Sequence, residues 1–220
     1  MFGPLYRDRV AAGRALGAEL ARTEHGADLL VLALPRGGLP VALEVAHALD
    51  APLDLMIVRK LGVPDHEELA LGAIASGGVR VMNPLPGLTV APEAIARVVA
   101  REQAELVRRE LLYRGGSPAV AVRGRTVIVV DDGLATGSTM RAAVLAIRQQ
   151  HPARLVVAVP VGAAETCAML GQDADEVVCA AMPSPFHAVG LWYRDFPQAS
   201  DGEVRELLDE AHREHEAMTH

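Results

Sequence analysis

Val127-Ile128-Val129-Val130-Asp131-Asp132-Gly133-Leu134-Ala135-Thr136-Gly137-Ser138-Thr139-Met140 is the stretch on which the reading of this chain turns. Its four β-branched apolar residues predict a strand buried on both faces, as in a parallel sheet. Two carboxylates end that strand. A turn with two glycines and three hydroxyl side chains follows, and then an Ala-rich helix (Arg141 to Gln150). A Gly/Ser/Thr turn opening a helix gathers free backbone N–H groups, which makes an anion site suited to phosphate. The acids would repel that phosphate, so they belong to sugar hydroxyls or to a metal ion. A phosphorylated sugar satisfies both halves. The P-loop reading fails because no lysine follows Gly137, and the dinucleotide reading fails because the glycines are not spaced G-x-G-x-x-G.

Outward from this stretch, the pattern predicts an α/β fold: a doubly wound, mainly parallel sheet. Helical periodicity covers Tyr6 to Arg22. Strand, turn and helix follow at Leu29–Leu34, Pro35-Arg36-Gly37-Gly38 and Pro40–Leu49, with a second strand at Leu53–Val58. That order implies a parallel pair with a right-handed crossover. Further strands are expected at Leu155–Val161 and Glu176–Cys179, around a short helix at Glu165–Leu170. A polar helix spans Glu203–Glu216. The whole chain reads as one domain, 1–220, carrying an insert at 61–118 and a small lid at 181–200. In the insert, alternation around Gly77-Gly78 predicts a hairpin from Leu69 to Asn83. A Pro-rich connection follows from Asn83 to Pro92, then a long helix from Pro92 to Tyr113. The helix's apolar stripe is narrow and interrupted by Glu102, so it is expected to be mostly solvated or to pack on a partner subunit, as in a homodimer. The lid holds Phe186, Trp192, Tyr193 and Phe196, most of the chain's aromatics.

Ligands of open α/β sheets bind beyond the carboxyl ends of the strands. Pro35-Arg36-Gly37-Gly38 should therefore face the same crevice as the 133–139 turn. Its glycines allow close backbone approach and Arg36 adds a forked cationic donor, which suits pyrophosphate. Arg59-Lys60 ends the second predicted strand. Lys60 is the only lysine in the chain, and its place at the crevice points to a phosphate contact.

Composition narrows the function. At 220 residues the chain can bury a sizeable core, and it is 50% hydrophobic but only 3% aromatic, so Val, Leu and Ala must build that core. A net charge of -7 argues against a nucleic-acid partner. Cys167 and Cys179 lack metal spacing and read as small buried residues of a reducing compartment. No apolar run reaches the ~18 residues of a membrane span, and the N-terminus has no signal-like apolar region. A cytoplasmic, soluble protein with no membrane partner is the expectation. His212 and His215 share a helix face, but no third ligand accompanies them, and a solvated polar helix is the simpler reading.

The 127–140 run resembles the ribose-phosphate signature of the type I phosphoribosyltransferases, which bind 5-phosphoribosyl 1-pyrophosphate (PRPP). The resemblance implies an Mg²⁺-dependent enzyme that moves the phosphoribosyl group from PRPP to a nitrogen of a planar, nucleobase-like acceptor and releases pyrophosphate. Asp131 and Asp132 would hold the ribose hydroxyls, directly or through Mg²⁺. Leu134, Ala135, Thr136, Gly137, Ser138 and Thr139 would hold the 5′-phosphate. Arg36, Gly37 and Gly38 resemble the family's pyrophosphate loop, which carries a cis peptide before its basic residue, here the Pro35–Arg36 bond. The N–H groups of Gly37 and Gly38 would then face the crevice. Arg59 and Lys60 match a basic pair that feeds a mobile loop. Catalysis would fall to Arg36, Lys60, Asp131 and Asp132. The lid segment Phe186-His187-Ala188-Val189-Gly190 is similar to the hood of the 6-oxopurine members, one residue longer. Its rings, Phe186 and Trp192 foremost, either stack on a planar acceptor or form the lid's own small core.

Two departures matter. The 6-oxopurine enzymes have an Asp where this chain has Ala135, and a Lys after the next strand where Val159-Pro160-Val161 offers none. The acceptor therefore does not carry over, and only Asp195 and His187 stand as candidate bases. Two further readings remain beside the enzyme. One is a PRPP-sensing regulator without turnover, for which the net charge is unfavourable; the other is a plain sugar-phosphate binding module.

Overall fold

The computed structural model describes residues 3–24, 26, 28–63, 66–82 and 90–218. Its strands are β1 (Leu29–Ala33), β2 (Leu53–Leu55), β3 (Val58–Val63), β4 (His66–Ala75), β5 (Val79–Met82), β6 (Thr126–Val130), β7 (Arg154–Val159) and β8 (Glu176–Cys179). Its helices are α1 (Arg9–Leu20), α2 (Gly38–Leu49), α3 (Pro92–Arg114), α4 (Ser138–Arg148), α5 (Ala164–Leu170) and α6 (Asp201–Met218). Five strands form one parallel sheet in the order β2-β1-β6-β7-β8. Side chains alternate across it, as strand geometry demands. Val31, Ala33, Ile128, Val130 and Val156 join the core built with α1, α2 and α6, while Leu30, Leu32, Val127, Val129 and Val157 join the core built with α4 and α5. Each such side chain contributes about 1.5–3 kcal/mol on burial. The chain is thus an α/β protein, doubly wound about a parallel sheet.

Strand order reverses between β1 and β6. The helix after β1 covers one face and the helix after β6 covers the other, so the two loops part and leave a crevice at the carboxyl ends of these strands. The Pro35–Gly38 turn and the Asp131–Gly137 segment are those two loops.

The second predicted strand is two elements. Parallel pairing stops at Leu55, and the chain passes through Met56-Ile57 into β3, which belongs to a separate antiparallel sheet ordered β3-β4-β5. Ile57 marks the change of partner: it exchanges backbone and side-chain hydrogen bonds with Ser76 beyond β4. The run Leu53–Val58 has no Gly or Pro to break it, so its mostly apolar pattern fits either sheet. The predicted hairpin is β4–β5, with Gly77 and Gly78 at φ +82 and +72. Residues 83–89 of the Pro-rich connection lie outside the described residues.

The long helix is α3, ended by Gly115 in the left-handed conformation. One side of it packs through Val98, Leu106 and Tyr113, with Glu102 also buried, and much of the rest is open to solvent. At its last turn Arg114 is paired in the interior with Asp54 at 3.0 Å and donates to Leu55 O. This ties the insert to β2. The C-terminal helix is likewise not a solvated rod: Val204, Leu208 and Ala211 enter the main core, and the His212 ring lies 3.2 Å from Leu53 O. Among the described residues, no helix is long and apolar enough to cross a membrane.

Candidate active site

β6 ends at Val130, and the chain leaves it as an extended pair of acids. Leu134 N–H donates to Val161 O and Ala163 N–H to Leu134 O, so the turn that follows is clipped to the end of β7. Gly137 caps α4 at φ +68, a conformation that favours glycine. From Ala135 to Met140 no N–H donates to a backbone carbonyl of a described residue. α4 has no acid in its first turn, so no carboxylate there opposes an anion at these N–H groups and the positive end of the helix dipole. Thr166 of α5 donates to Ala135 O at 2.6 Å and buttresses the turn from behind.

Lys60 projects from β3 to this turn and donates from Nζ to Ser138 Oγ at 2.9 Å. The insert sheet thus places the chain's single lysine at the anion site. Arg59, beside it, is engaged by the buried Glu102 at 2.6 Å. Both line a cleft of about 400 Å³ together with Pro35, Arg101, Arg109 and Thr139. Arg101, Arg109 and Glu102 were not legible as site residues, because their spacing on α3 matches an ordinary charged helix surface.

The Pro35–Gly38 turn borders this cleft through Pro35, and its Pro35–Arg36 peptide is cis, as the resemblance implies. Both glycines are needed for proximity. A Cβ on Gly37 would collide with the Asp132 carboxylate, and one on Gly38 would lie 2.8 Å from Val130 O. The loops after β1 and β6 therefore touch, and Gly-Gly is what lets them. One expectation is corrected: the Gly38 N–H donates to Leu34 O at 3.0 Å and does not face the crevice. Arg36 lies 3.7 Å from Asp201 at the start of α6, whose carboxylate also accepts from the Tyr113 hydroxyl at 2.6 Å.

The two acids differ in environment. Asp132 is held by Arg9 of α1, with Nε and Nη2 each 2.8 Å from Oδ2. Asp131 has no salt-bridge partner among the described residues, and its Oδ1 accepts the Asp132 N–H at 2.8 Å. Burial and then the neighbouring Asp132 push the Asp131 pKa well up; burial also raises that of Asp132, against the opposing pull of Arg9. One oxygen of each carboxylate is thereby engaged, leaving the second for a ligand. Arg9 was missed in the sequence because its partner is distant in the chain and nothing local marks the pairing.

The lid closes the other side. Val189 packs so tightly on Gly133 that a Cβ there would lie 2.6 Å from its methyl group, and the Tyr193 hydroxyl donates to Asp132 O at 2.6 Å. Trp192 is 6% exposed and stacks on Phe186 at 6.1 Å, while Tyr193 packs on Tyr6 and Phe196. The rings thus form the lid's own small core with Ala12 and Val161. An acceptor contact by Trp192 would require its ring to be uncovered. His187 and Asp195 are exposed.

Among the described residues, no group of three or more His, Cys, Asp or Glu could hold a metal ion by itself. Two hard carboxylate oxygens do fit Mg²⁺ arriving with a phosphorylated ligand, since Mg²⁺ is commonly bound by one or two carboxylates plus substrate oxygens.

A parallel sheet whose reversal point carries a helix-capping anion turn, paired acids and a glycine-lined basic loop defines a class of phosphorylated-sugar binders. Residues 6–187 match the family model described as the phosphoribosyl transferase domain, and the chain belongs to that family. Two Mycobacterium tuberculosis proteins, from strains CDC 1551 / Oshkosh and ATCC 25618 / H37Rv, are provisionally named phosphoribosyl transferases. Each is 47% identical over 212 residues, covering 96% of this chain and 48% of the relative. The chain thus spans about half the length of these curated relatives. The crystal structure of the protein TT1426 from Thermus thermophilus is similar at a TM-score of 0.85 and 42% identity, covering 93% of this chain and 98% of that one.

Proposed function

We propose that the chain is a PRPP-dependent phosphoribosyltransferase acting on a nitrogen of a small planar acceptor. The observation that carries this reading is the meeting of three differently built loops at one crevice: the anion turn 135–139, the acids Asp131 and Asp132, and the Arg36-Gly37-Gly38 loop. Phosphate, ribose and pyrophosphate are the three parts of PRPP, in that spatial order.

In this reading the N–H groups of 135–139, with the Thr136, Ser138 and Thr139 hydroxyls and Lys60, hold the 5′-phosphate. Asp131 and Asp132 orient the ribose hydroxyls. Arg36 and the adjoining backbone stabilise the departing pyrophosphate as the bond from the anomeric carbon to its oxygen lengthens. The acceptor nitrogen then bonds to that carbon, the electron pair of the broken C–O bond leaves with pyrophosphate, and the proton of the nitrogen passes to solvent or to the pyrophosphate released. Asp131 and Asp132 would hold the Mg²⁺ that arrives with PRPP, and the ion would supply charge neutralisation for the leaving group. The protein supplies position and fixed dipoles rather than covalent chemistry, the mode in which preorganised donors lower a barrier most. The lid over Gly133 and Asp132 excludes water, which would otherwise hydrolyse the anomeric carbon.

Pyrophosphate release from PRPP, measured with Mg²⁺ across a panel of purines, pyrimidines and small amides, tests this. Release that depends on one acceptor class is expected. PRPP binding without release for any acceptor would support the regulator or binding module instead.

A further inference from the structure

We propose that Arg9 is a positioning residue that couples the lid to the ribose-side acids, so that occupancy of the PRPP site is transmitted to the lid. The inference rests on the PRPP reading above. Arg9 opens α1, and its side chain is 11% exposed. Three parts of the site meet on its guanidinium. Nε and Nη2 both reach Asp132 Oδ2 at 2.8 Å. Nη1 donates to Pro197 O at 2.6 Å, and the Phe196 ring centroid is 3.8 Å from Cζ. Nη2 also lies 3.3 Å from where a Gly37 Cβ would stand, so it rests on the Arg36–Gly38 loop.

The base of this side chain is fixed. Asp8 caps α1 by accepting from Ala11 N–H at 2.8 Å, and Gly13 sits so close to α2 that a Cβ would lie 2.7 Å from Val41 O. A guanidinium is planar and rigid, so a change in what Oδ2 of Asp132 does re-aims the edge that holds Pro197 and the face that covers Phe196. The lid is joined to the same place by a second route, because Tyr193 donates to Asp132 O and Asp195 N–H donates to Arg7 O. When Oδ1 of Asp132 takes up ribose hydroxyls or the ion bound with them, the carboxylate that Arg9 grips through Oδ2 loses charge and turns toward the ligand, and the lid contacts at Phe196 and Pro197 move with the guanidinium.

The molecule carries its own reporter. Trp192 is the only tryptophan and is buried in the lid on Phe186. PRPP with Mg²⁺ is titrated into the wild type, Arg9→Gln, Arg9→Lys and Phe196→Leu, with heat of binding and Trp192 fluorescence read on each. The wild type is expected to bind with a fluorescence change. Arg9→Gln should still bind through the 135–139 turn, roughly tenfold more weakly, with the fluorescence change lost. Arg9→Lys, which keeps charge but not the fork, should regain affinity without regaining the response. Phe196→Leu leaves the Arg9–Asp132 pair intact, and should bind as the wild type does with a diminished response. A wild-type response retained in Arg9→Gln or Phe196→Leu at saturating PRPP overturns the coupling, as does wild-type binding with no response. Absence of binding heat in the wild type overturns the PRPP reading itself.

Discussion

At the scale of single residues, the site is organised by the difference between two adjacent carboxylates. Among the described residues Asp132 has a salt-bridge partner and Asp131 has none, although both sit at the end of one buried strand. Removing the two acids should therefore not have one effect on stability. The raised pKa of Asp131 means that its charged form is disfavoured by folding. In the unfolded chain an Asp titrates near pH ~3.9. Below that, both states hold the proton and Asp131 costs nothing. As pH rises through that value the unfolded chain releases its proton first, and stability falls. In metal-free protein at pH 7, Asp131→Asn should raise the melting temperature by about 2–4 °C for each kcal/mol relieved. The gain should vanish as the pH is brought below the ordinary carboxylate range. Asp132→Asn also removes a charge that folding disfavours but gives up the Arg9 ion pair with it, and should raise the melting temperature less than Asp131→Asn or not at all. Scanning calorimetry of both variants against pH checks this, and equal behaviour of the two would contradict the assignment.

At the scale of elements, the 135–139 turn proposed to hold phosphate depends on one glycine and on the helix behind it. Gly137→Ala places an Ala at φ +68, and its Cβ runs into the Thr166 methyl group, which belongs to the residue holding Ala135 O. The left-handed conformation alone costs about 1–2 kcal/mol. Denaturant unfolding should show at least that loss, and calorimetric titration should show ribose 5-phosphate binding weakened about tenfold or more. Unchanged affinity would mean that the turn is not the phosphate site. This element was legible because its signals are local: a β-branched run, acids at its end and a Gly/Thr turn all lie within fourteen consecutive residues. The approach of Lys60 to that turn was signalled differently, by its being the only lysine in the chain. The division of Leu53–Val58 between two sheets was not legible, since its mostly apolar pattern says nothing about which sheet it joins. The partnering of Arg59 with Glu102 and of Arg9 with Asp132 was hidden as well. Both pairs span long sequence separations, and pairing across them is decided by tertiary packing rather than by any periodicity.

At the scale of the molecule, the two sheets perform different tasks. The parallel sheet positions the acids and both turns at its point of reversal, and the three-stranded sheet delivers Lys60 across the crevice. The buried Arg114–Asp54 pair fastens the insert to β2, and the lid is fastened through Tyr6 and Tyr193. That division accounts for a basic cleft on one side of the 135–139 turn and an aromatic cover on the other. Whether this space is shaped for PRPP is the central claim, and a crystal structure of the protein with PRPP and Mg²⁺ tests it most directly. The account predicts the 5′-phosphate on the N–H groups of 135–139, the ribose hydroxyls on Asp131 and Asp132, and the pyrophosphate against Arg36 and Gly37. PRPP bound elsewhere, or a 135–139 turn left without phosphate at saturating ligand, would contradict it.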